Sequence, residues 1–301
     1  MFFTHGEVIT ETTFPDGTKN ISGFKLGKKP LISVFFPPDQ MMSNLLWKWE
    51  SDEDLITLML LKKCYPGFQY LTILYLPYGR EDRDISGGSK CSLRYICEFI
   101  KGLNFRSIEV VDPHSDLTLA YLGENAFGSY PKEHILSALG KLSLPLSLET
   151  KLAGHGKSPV HNYVVMFPDA GAQKRYGKIW SEFPQIVGVK NRDFATGKIT
   201  SYSVINGELA KGKEVIIIDD ICSYGGTFMA AAQTLKAFHP KRIILAVTHC
   251  ENSILKGDLL KPHSPVDHVI ITDSLFSDLA YLYPQIQMTI IPLTERRKNN
   301  G

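Results

Sequence analysis

Several absences narrow the reading of this sequence. Its 5 cysteines (Cys64, Cys91, Cys97, Cys222 and Cys250) form no Cys-x-x-Cys pair and no zinc-ligand spacing. They are read as reduced, buried thiols, which excludes a disulfide scaffold or a zinc module as the organising device. No run of about 18 apolar residues is present, so no membrane-spanning helix is expected. The first residues carry no basic stretch followed by an apolar core, so no secretory leader is expected and the protein is read as cytoplasmic. An excess of one charge is missing too: 33 Lys and Arg oppose 31 Asp and Glu, a net +2. That balance gives no electrostatic case for a nucleic-acid or membrane partner. Short-period repeats and low-complexity segments are absent. At 301 residues, 44% hydrophobic and 21% charged, the chain reads as two α/β domains.

The hydrophobic pattern alternates between short β-branched runs and longer helical stretches. Strands are expected at Leu31 to Phe36, Tyr70 to Leu76 and Ile108 to Val111, with helical patterns over Met41 to Lys63 and Ser92 to Gly102. Residues 2 to 21 are mixed and end in the turn Phe14-Pro15-Asp16-Gly17-Thr18. The alternation then repeats. Helices are expected over Glu133 to Leu142, Gln173 to Glu182 and Phe228 to Phe238. Strands are expected at Tyr163 to Phe167, Ile186 to Lys190, Val215 to Ile218, Arg242 to Thr248, His268 to Thr272 and Met288 to Ile291. Residues 191 to 200 read as a polar hairpin or loop. Such alternation predicts parallel sheets with helices on both faces. A boundary near 125 to 135 divides the chain into residues 1–130 and 131–301. In open sheets of this kind ligands bind beyond the carboxyl ends of strands, where the unusual polar residues collect.

The most informative stretch is EVIIIDDICSYGGTFMAAA, Glu214 to Ala232. A buried strand is expected to end at the adjacent carboxylates Asp219 and Asp220. A loop of Ser223, Tyr224, Gly225, Gly226 and Thr227 leads into an alanine-rich helix. Loop and helix N-terminus present backbone N–H groups to an anion, and the glycines allow close approach of a phosphate. The carboxylates can accept from sugar hydroxyls or from the water shell of a magnesium ion. An ordinary strand–turn–helix corner would satisfy the same pattern.

This stretch resembles the phosphoribosyl-diphosphate binding motif, and five further places resemble the ribose-phosphate diphosphokinase (phosphoribosyl-diphosphate synthetase) family. Tyr75 to Arg83 (YLPYGREDR) is similar to its nucleotide motif, Val110 to His114 (VVDPH) to its Asp-x-His strand end, Phe167 to Gly171 (FPDAG) to its Pro-Asp-Ala-Gly turn, and Lys190-Asn191-Arg192 to its Lys-x-Arg catalytic loop. Phe14-Pro15-Asp16-Gly17 is similar to a turn that contacts adenine across a subunit interface in that family. The matches hold their order from residue 8 to about residue 293.

The resemblance implies two tandem phosphoribosyltransferase-type, Rossmann-like domains. It also implies a Mg2+-dependent transfer of diphosphate from ATP to the anomeric hydroxyl of ribose 5-phosphate. Lys190 and Arg192 are then catalytic, and they share a face if their segment is extended. Phe14, Asp16, Arg80, Glu81, Asp82 and His114 bind nucleotide. Asp169, Asp219, Asp220 and Ser223 to Thr227 (Ser223, Tyr224, Gly225, Gly226, Thr227) bind the ribose phosphate. His114 and Asp169 hold the metal, and the protein assembles as a homo-oligomer, a dimer or higher.

The residues leave other readings open. Arg80 can pair with Asp82 or Asp84, His114 can be structural, Asp169 can be a turn-former, and residues 190 to 198 can be a solvated hairpin. Departures from the family pattern also matter. Ser223 and Tyr224 replace the loop's usual acid and threonine, Glu81 stands where glutamine is common, and Thr18 stands where an acid-like acceptor often contacts adenine. Residues 85 to 90 lack the basic residue of the family's regulatory loop. Tyr224 packs between sheet and helix on the plainer reading; otherwise it meets an acceptor extended past the 5-phosphate, such as ADP-ribose. A phosphoribosyltransferase or an inactive regulatory homologue are the remaining alternatives.

Overall fold

The computed structural model describes residues 1–4, 7–24, 43–84, 91–143, 163–192, 199–277 and 288–294. Its contacts divide into two units, Met1–Tyr130 with the segment from Pro292 onward, and Pro131–Ile291. Among the described residues no helix is long and apolar enough to cross a membrane.

The first unit carries a seven-stranded sheet of order β3-β2-β1-β4-β5-β6-β7. Its strands are β1 (Phe2–Thr4), β2 (Glu7–Thr13), β3 (Lys19–Phe24), β4 (Ser43–Trp47), β5 (Phe68–Ile73), β6 (Ser107–Val111) and β7 (Ala126–Ser129). Strands β4 to β7 are parallel, while β1 to β3 form an antiparallel edge. Helices α1 (Glu53–Cys64), α2 (Ser92–Gly102) and α3 (Asp116–Leu122) complete the unit. Alternate residues of the central strands, including Leu45, Trp47, Leu71, Ile73, Ile108 and Val110, pack with Leu58, Leu61, Leu93 and Cys97 of the helices.

The helical expectation over Met41 to Lys63 fails in its first part. Ser43–Trp47 is a strand between β1 and β5, and the helix begins only at Glu53. Leucine and tryptophan serve either state, and strand pairing on both sides decided it. Acidic Glu53 and Asp54 then open the helix, where carboxylates favour its positive end. The strand expected at 31 to 36 lies outside the described residues.

The second unit repeats the plan with order β10-β9-β8-β11-β12-β13-β14. Its strands are β8 (Tyr163–Phe167), β9 (Gln185–Arg192), β10 (Ile199–Ile205), β11 (Glu214–Cys222), β12 (Arg242–Cys250), β13 (His268–Thr272) and β14 (Met288–Ile291). All pair in parallel except the β9–β10 hairpin. Helices α4 (Lys132–Ser143), α5 (Ala170–Tyr176) and α6 (Gly226–Lys236) belong to this unit. Helix α5 starts and stops earlier than periodicity suggested: the Asp169 side chain caps it and Gly177 follows its last turn. Val215, Ile217, Leu245 and Ile271 form one core with Phe228, Ala231 and Leu235 of α6. The chain runs outward from β8 to β9 and β10, then returns to lay β11 on the other side of β8. That reversal makes the carboxyl ends of β8 and β11 a topological switch point, where open α/β sheets place their ligands.

Candidate active site

At the switch point, β8 is buried along its whole length and delivers Pro168 and Asp169 at its end. Asp169 Oδ1 accepts the Ala172 N–H at 2.9 Å, while its Oδ2 forms a close ion pair with Lys190 of β9. Burial works against the Asp169 charge, but Lys190 and the Ala172 N–H outweigh it and hold the carboxyl below its ordinary range. Two residues expected to act on the same reaction are thus in contact. Residue 192 lies two positions on in the same strand; its side chain and residues 193–198 lie outside the described residues.

Sequence reasoning missed what braces this hairpin. Tyr202 of β10 stands opposite Lys190 and donates from its hydroxyl to the Pro168 carbonyl at 2.8 Å. The Tyr202 ring crosses Gly188: a Cβ there would lie 2.0 Å from the hydroxyl oxygen and 2.5 Å from the Pro168 carbonyl oxygen. Burial, then Asp169 and Asp219, push the Tyr202 hydroxyl above the ordinary phenol range and keep it a donor.

Strand β11 does not stop at the acid pair, as the sequence suggested, but continues through it to Cys222. The pairing with β12 runs on through Asp219 opposite Val247 and Cys222 opposite Cys250. Asp219 is half-buried and Asp220 is 2% exposed. Burial, and next the Asp220 carboxylate, raise the Asp219 carboxyl well above the ordinary range. Asp220 instead meets Arg175 of α5, Nη1 to Oδ1 at 2.7 Å. Burial disfavours the Arg175 charge, but Asp220 and Tyr176 overcome it and raise its pKa further. Arg175 carried no sequence signal beyond its place on the helix after the Pro-Asp-Ala-Gly turn.

The loop after β11 turns on Gly225, whose φ of +86° suits glycine and whose absent Cβ would lie 2.0 Å from Leu259 Cδ1. Gly225 also stands at the N-terminus of α6 with no side-chain cap. The first N–H groups of that 11-residue helix are therefore available to an anion. Ser223 and Thr227 are half-buried, and Gly226 is exposed. Tyr224 is 60% exposed, so the expectation that it packs between sheet and helix is corrected. A Cβ on Gly257 would sit 2.0 Å from the Tyr224 carbonyl oxygen, so close backbone contact props the loop from behind.

In the first unit, the residues after β5 turn back at Tyr78, which adopts φ 63° and donates its hydroxyl to Asp52 at 2.7 Å. Arg80 and Glu81 are exposed, and Asp82 lies 3.5 Å from Arg83 Nε. Half-buried His114 follows Asp112, a buried residue at φ 45°. A Cβ on Gly79 would come 3.5 Å from His114 Cβ, so the Arg80 turn and the β6 end are neighbours. At the β2–β3 tip Phe14 is 48% exposed. Asp16 accepts from the Thr18 N–H and hydroxyl at 3.0 and 2.7 Å, which lowers its pKa.

Among the described residues, no cluster of three His, Cys, Asp or Glu side chains suits a metal ion. A magnesium ion that keeps most of its ligands as water or phosphate oxygen needs few protein carboxylates, and the half-buried Asp219, which makes no ion pair among the described residues, is an oxygen donor of that kind.

Residues 160–278 match the phosphoribosyl transferase domain family. Over 287 residues the chain is 26% identical to the ribose-phosphate pyrophosphokinase of Pyrococcus abyssi, covering 92% of this chain and 88% of that protein. It is 28% identical over 249 residues to the enzyme of the same name from Saccharolobus solfataricus, covering 80% and 76%. The fold agrees with the crystal structure of phosphoribosylpyrophosphate synthetase from Mycobacterium smegmatis at a TM-score of 0.67, with 20% identity, 97% of this chain and 88% of that one covered. The chain is thus similar over most of its length to ribose-phosphate pyrophosphokinases, and its second unit matches the phosphoribosyl transferase domain.

Proposed function

We propose that this protein transfers diphosphate from ATP to the anomeric hydroxyl of ribose 5-phosphate, giving phosphoribosyl diphosphate and AMP. The observation that carries this reading is the grouping at the β8–β11 switch point. There the Asp169–Lys190 ion pair, the acid pair of β11 and the uncapped start of α6 belong to neighbouring strand ends. In the reaction the hydroxyl oxygen bonds to the β-phosphorus, the bond from that phosphorus to the α,β-bridging oxygen breaks, and the hydroxyl proton is released. When bound, magnesium would supply charge neutralisation to the triphosphate; His114 in the first unit and Asp169 in the second are each candidate ligands of such an ion. The N–H groups of residues 225 to 227 hold the 5-phosphate and Asp219 accepts from the ribose hydroxyls. Lys190 and Arg192 meet the charge that develops on the transferred group. Arg80 and His114 of the first unit, with Phe14 and Asp16 from a neighbouring subunit of a homo-oligomer, hold the nucleotide.

Tyr224 favours a second acceptor. An aromatic ring 60% exposed beside the loop is placed to stack on a group beyond the 5-phosphate, as in ADP-ribose. The test is incubation with ATP, magnesium and either ribose 5-phosphate or ADP-ribose, with products identified by mass. AMP formed only when an acceptor is present supports diphosphotransfer, and AMP formed with neither acceptor, or none at all, rejects it. Tyr224→Thr is expected to lower catalytic efficiency on ADP-ribose more than on ribose 5-phosphate. Equal efficiency losses on both would reject a reading role for the ring.

A further inference from the structure

The two carboxylates of β11 differ in their surroundings. The strand runs through both residues, and their carboxyl groups lie close enough to act on each other, but their other partners differ. Asp220 faces α5, where its Oδ1 lies 2.7 Å from Arg175 Nη1, with the two side chains 3% and 16% exposed. Arg175 stands in the last turn of α5, and the first turn of that helix is capped by Asp169. One short helix therefore joins the Asp169 end of β8 to Asp220. Asp219 is half-buried, accepts the Asp220 N–H at 3.0 Å and makes no ion pair among the described residues.

A buried carboxylate committed to a guanidinium is poorly placed to take a sugar hydroxyl or a cation as well, because the ligand would have to displace the arginine in a site closed to water. We propose that Arg175 splits the acid pair: it fixes Asp220 as part of the scaffold and leaves Asp219 as the one acid of the two that meets the acceptor. This inference rests on the reading of the β11 end as an acceptor site. Arg175 is a positioning residue that acts through Asp220. Its removal leaves two adjacent carboxylates without their cation and turns the β11 end away from any anionic acceptor.

The test is a charge-removal cycle on the full chain. Ribose 5-phosphate binding is read by calorimetry, turnover by AMP release, and folding by the thermal midpoint of each variant. Arg175→Met and Asp220→Asn each strand a buried charge, so each is expected to weaken ribose 5-phosphate by at least about tenfold and to raise its KM while the KM for ATP stays put. Arg175→Met/Asp220→Asn removes both charges and is expected to recover most of that loss, and Arg175→Lys to lose less than Arg175→Met. Asp219→Asn is expected to lose binding in every background. A double variant as weak as Asp220→Asn alone, or Arg175→Lys as weak as Arg175→Met, overturns the proposal. If the double variant unfolds, the Lys variant decides. A wild type that binds ribose 5-phosphate and shows the rescue but releases no AMP sinks the diphosphotransfer reading and leaves the role of Arg175 standing. A wild type that turns over without the rescue does the reverse, and one that does not bind ribose 5-phosphate overturns both.

Discussion

Lys190 and Asp169 form an ion pair in the structure, so each governs the other before any ligand arrives. Lys190→Ala is expected to lower turnover by about a hundredfold or more, because it removes a charge that the proposed reaction directs at the transferred group. Arg192→Ala is expected to do the same. Nucleotide binding, followed by fluorescence titration, should survive in both; near-normal turnover in either would remove that residue from the chemistry. The same pair predicts an acid response. Asp169 lies below its ordinary 3.8, so its folded state binds protons less readily than its unfolded state. Its contribution to stability is present above about pH 4 and is lost as pH falls through the lower folded value. Urea unfolding from pH 5 to pH 3 should therefore show a steeper loss in wild type than in Asp169→Asn. Equal slopes would mean that the pair does not stabilise the fold.

Among the elements, the β9–β10 hairpin positions the site most tightly. Its register puts Tyr202 opposite Lys190 and Val204 opposite Gly188, and the missing side chain at 188 lets the Tyr202 hydroxyl reach Pro168. Gly188→Ala forces a methyl group against both partners and is expected to cost about 1–3 kcal/mol, as overpacking of a filled site does. It should also slow turnover by displacing Lys190. Tyr202→Phe keeps the ring but drops the bond to Pro168, and is expected to cost about 1 kcal/mol. Denaturant unfolding measures both. A Gly188→Ala protein as stable as wild type would mean the hairpin yields at no cost and does not brace the site.

For the whole molecule, each unit carries its own seven-stranded sheet and its own core, which is the physical requirement for independent folding. A fragment of residues 131–291, the second unit, is expected to unfold cooperatively and to bind ribose 5-phosphate within a few-fold of the full chain. It should release no AMP, because Arg80 and His114 belong to the other unit. A fragment that folds yet fails to bind the acceptor would show that the second unit does not hold the acceptor by itself.

The strand–loop–helix order of Glu214–Lys236 was legible in the sequence, since a β-branched run before turn-formers reads as a buried strand and paired glycines admit the turn that follows, but the strand's continuation through the acid pair to Cys222 came from its pairing with β12. The sequence by itself also determined the alternation that yields two mostly parallel sheets, because period and run length are local properties. What it left open depends on contacts between residues distant in the chain. Strand pairing on both sides turned Ser43–Trp47 from a helical pattern into β4. The long edge of the first sheet, β1 to β3, was illegible in a mixed segment that pairs with itself and, through β1, with β4. The exposure of Tyr224 depends on Gly257 and Leu259 behind its loop. Only the packing of α5 against β11 decided which acid is bound to Arg175, because a carboxylate's charge is set by the neighbour that the fold brings to it.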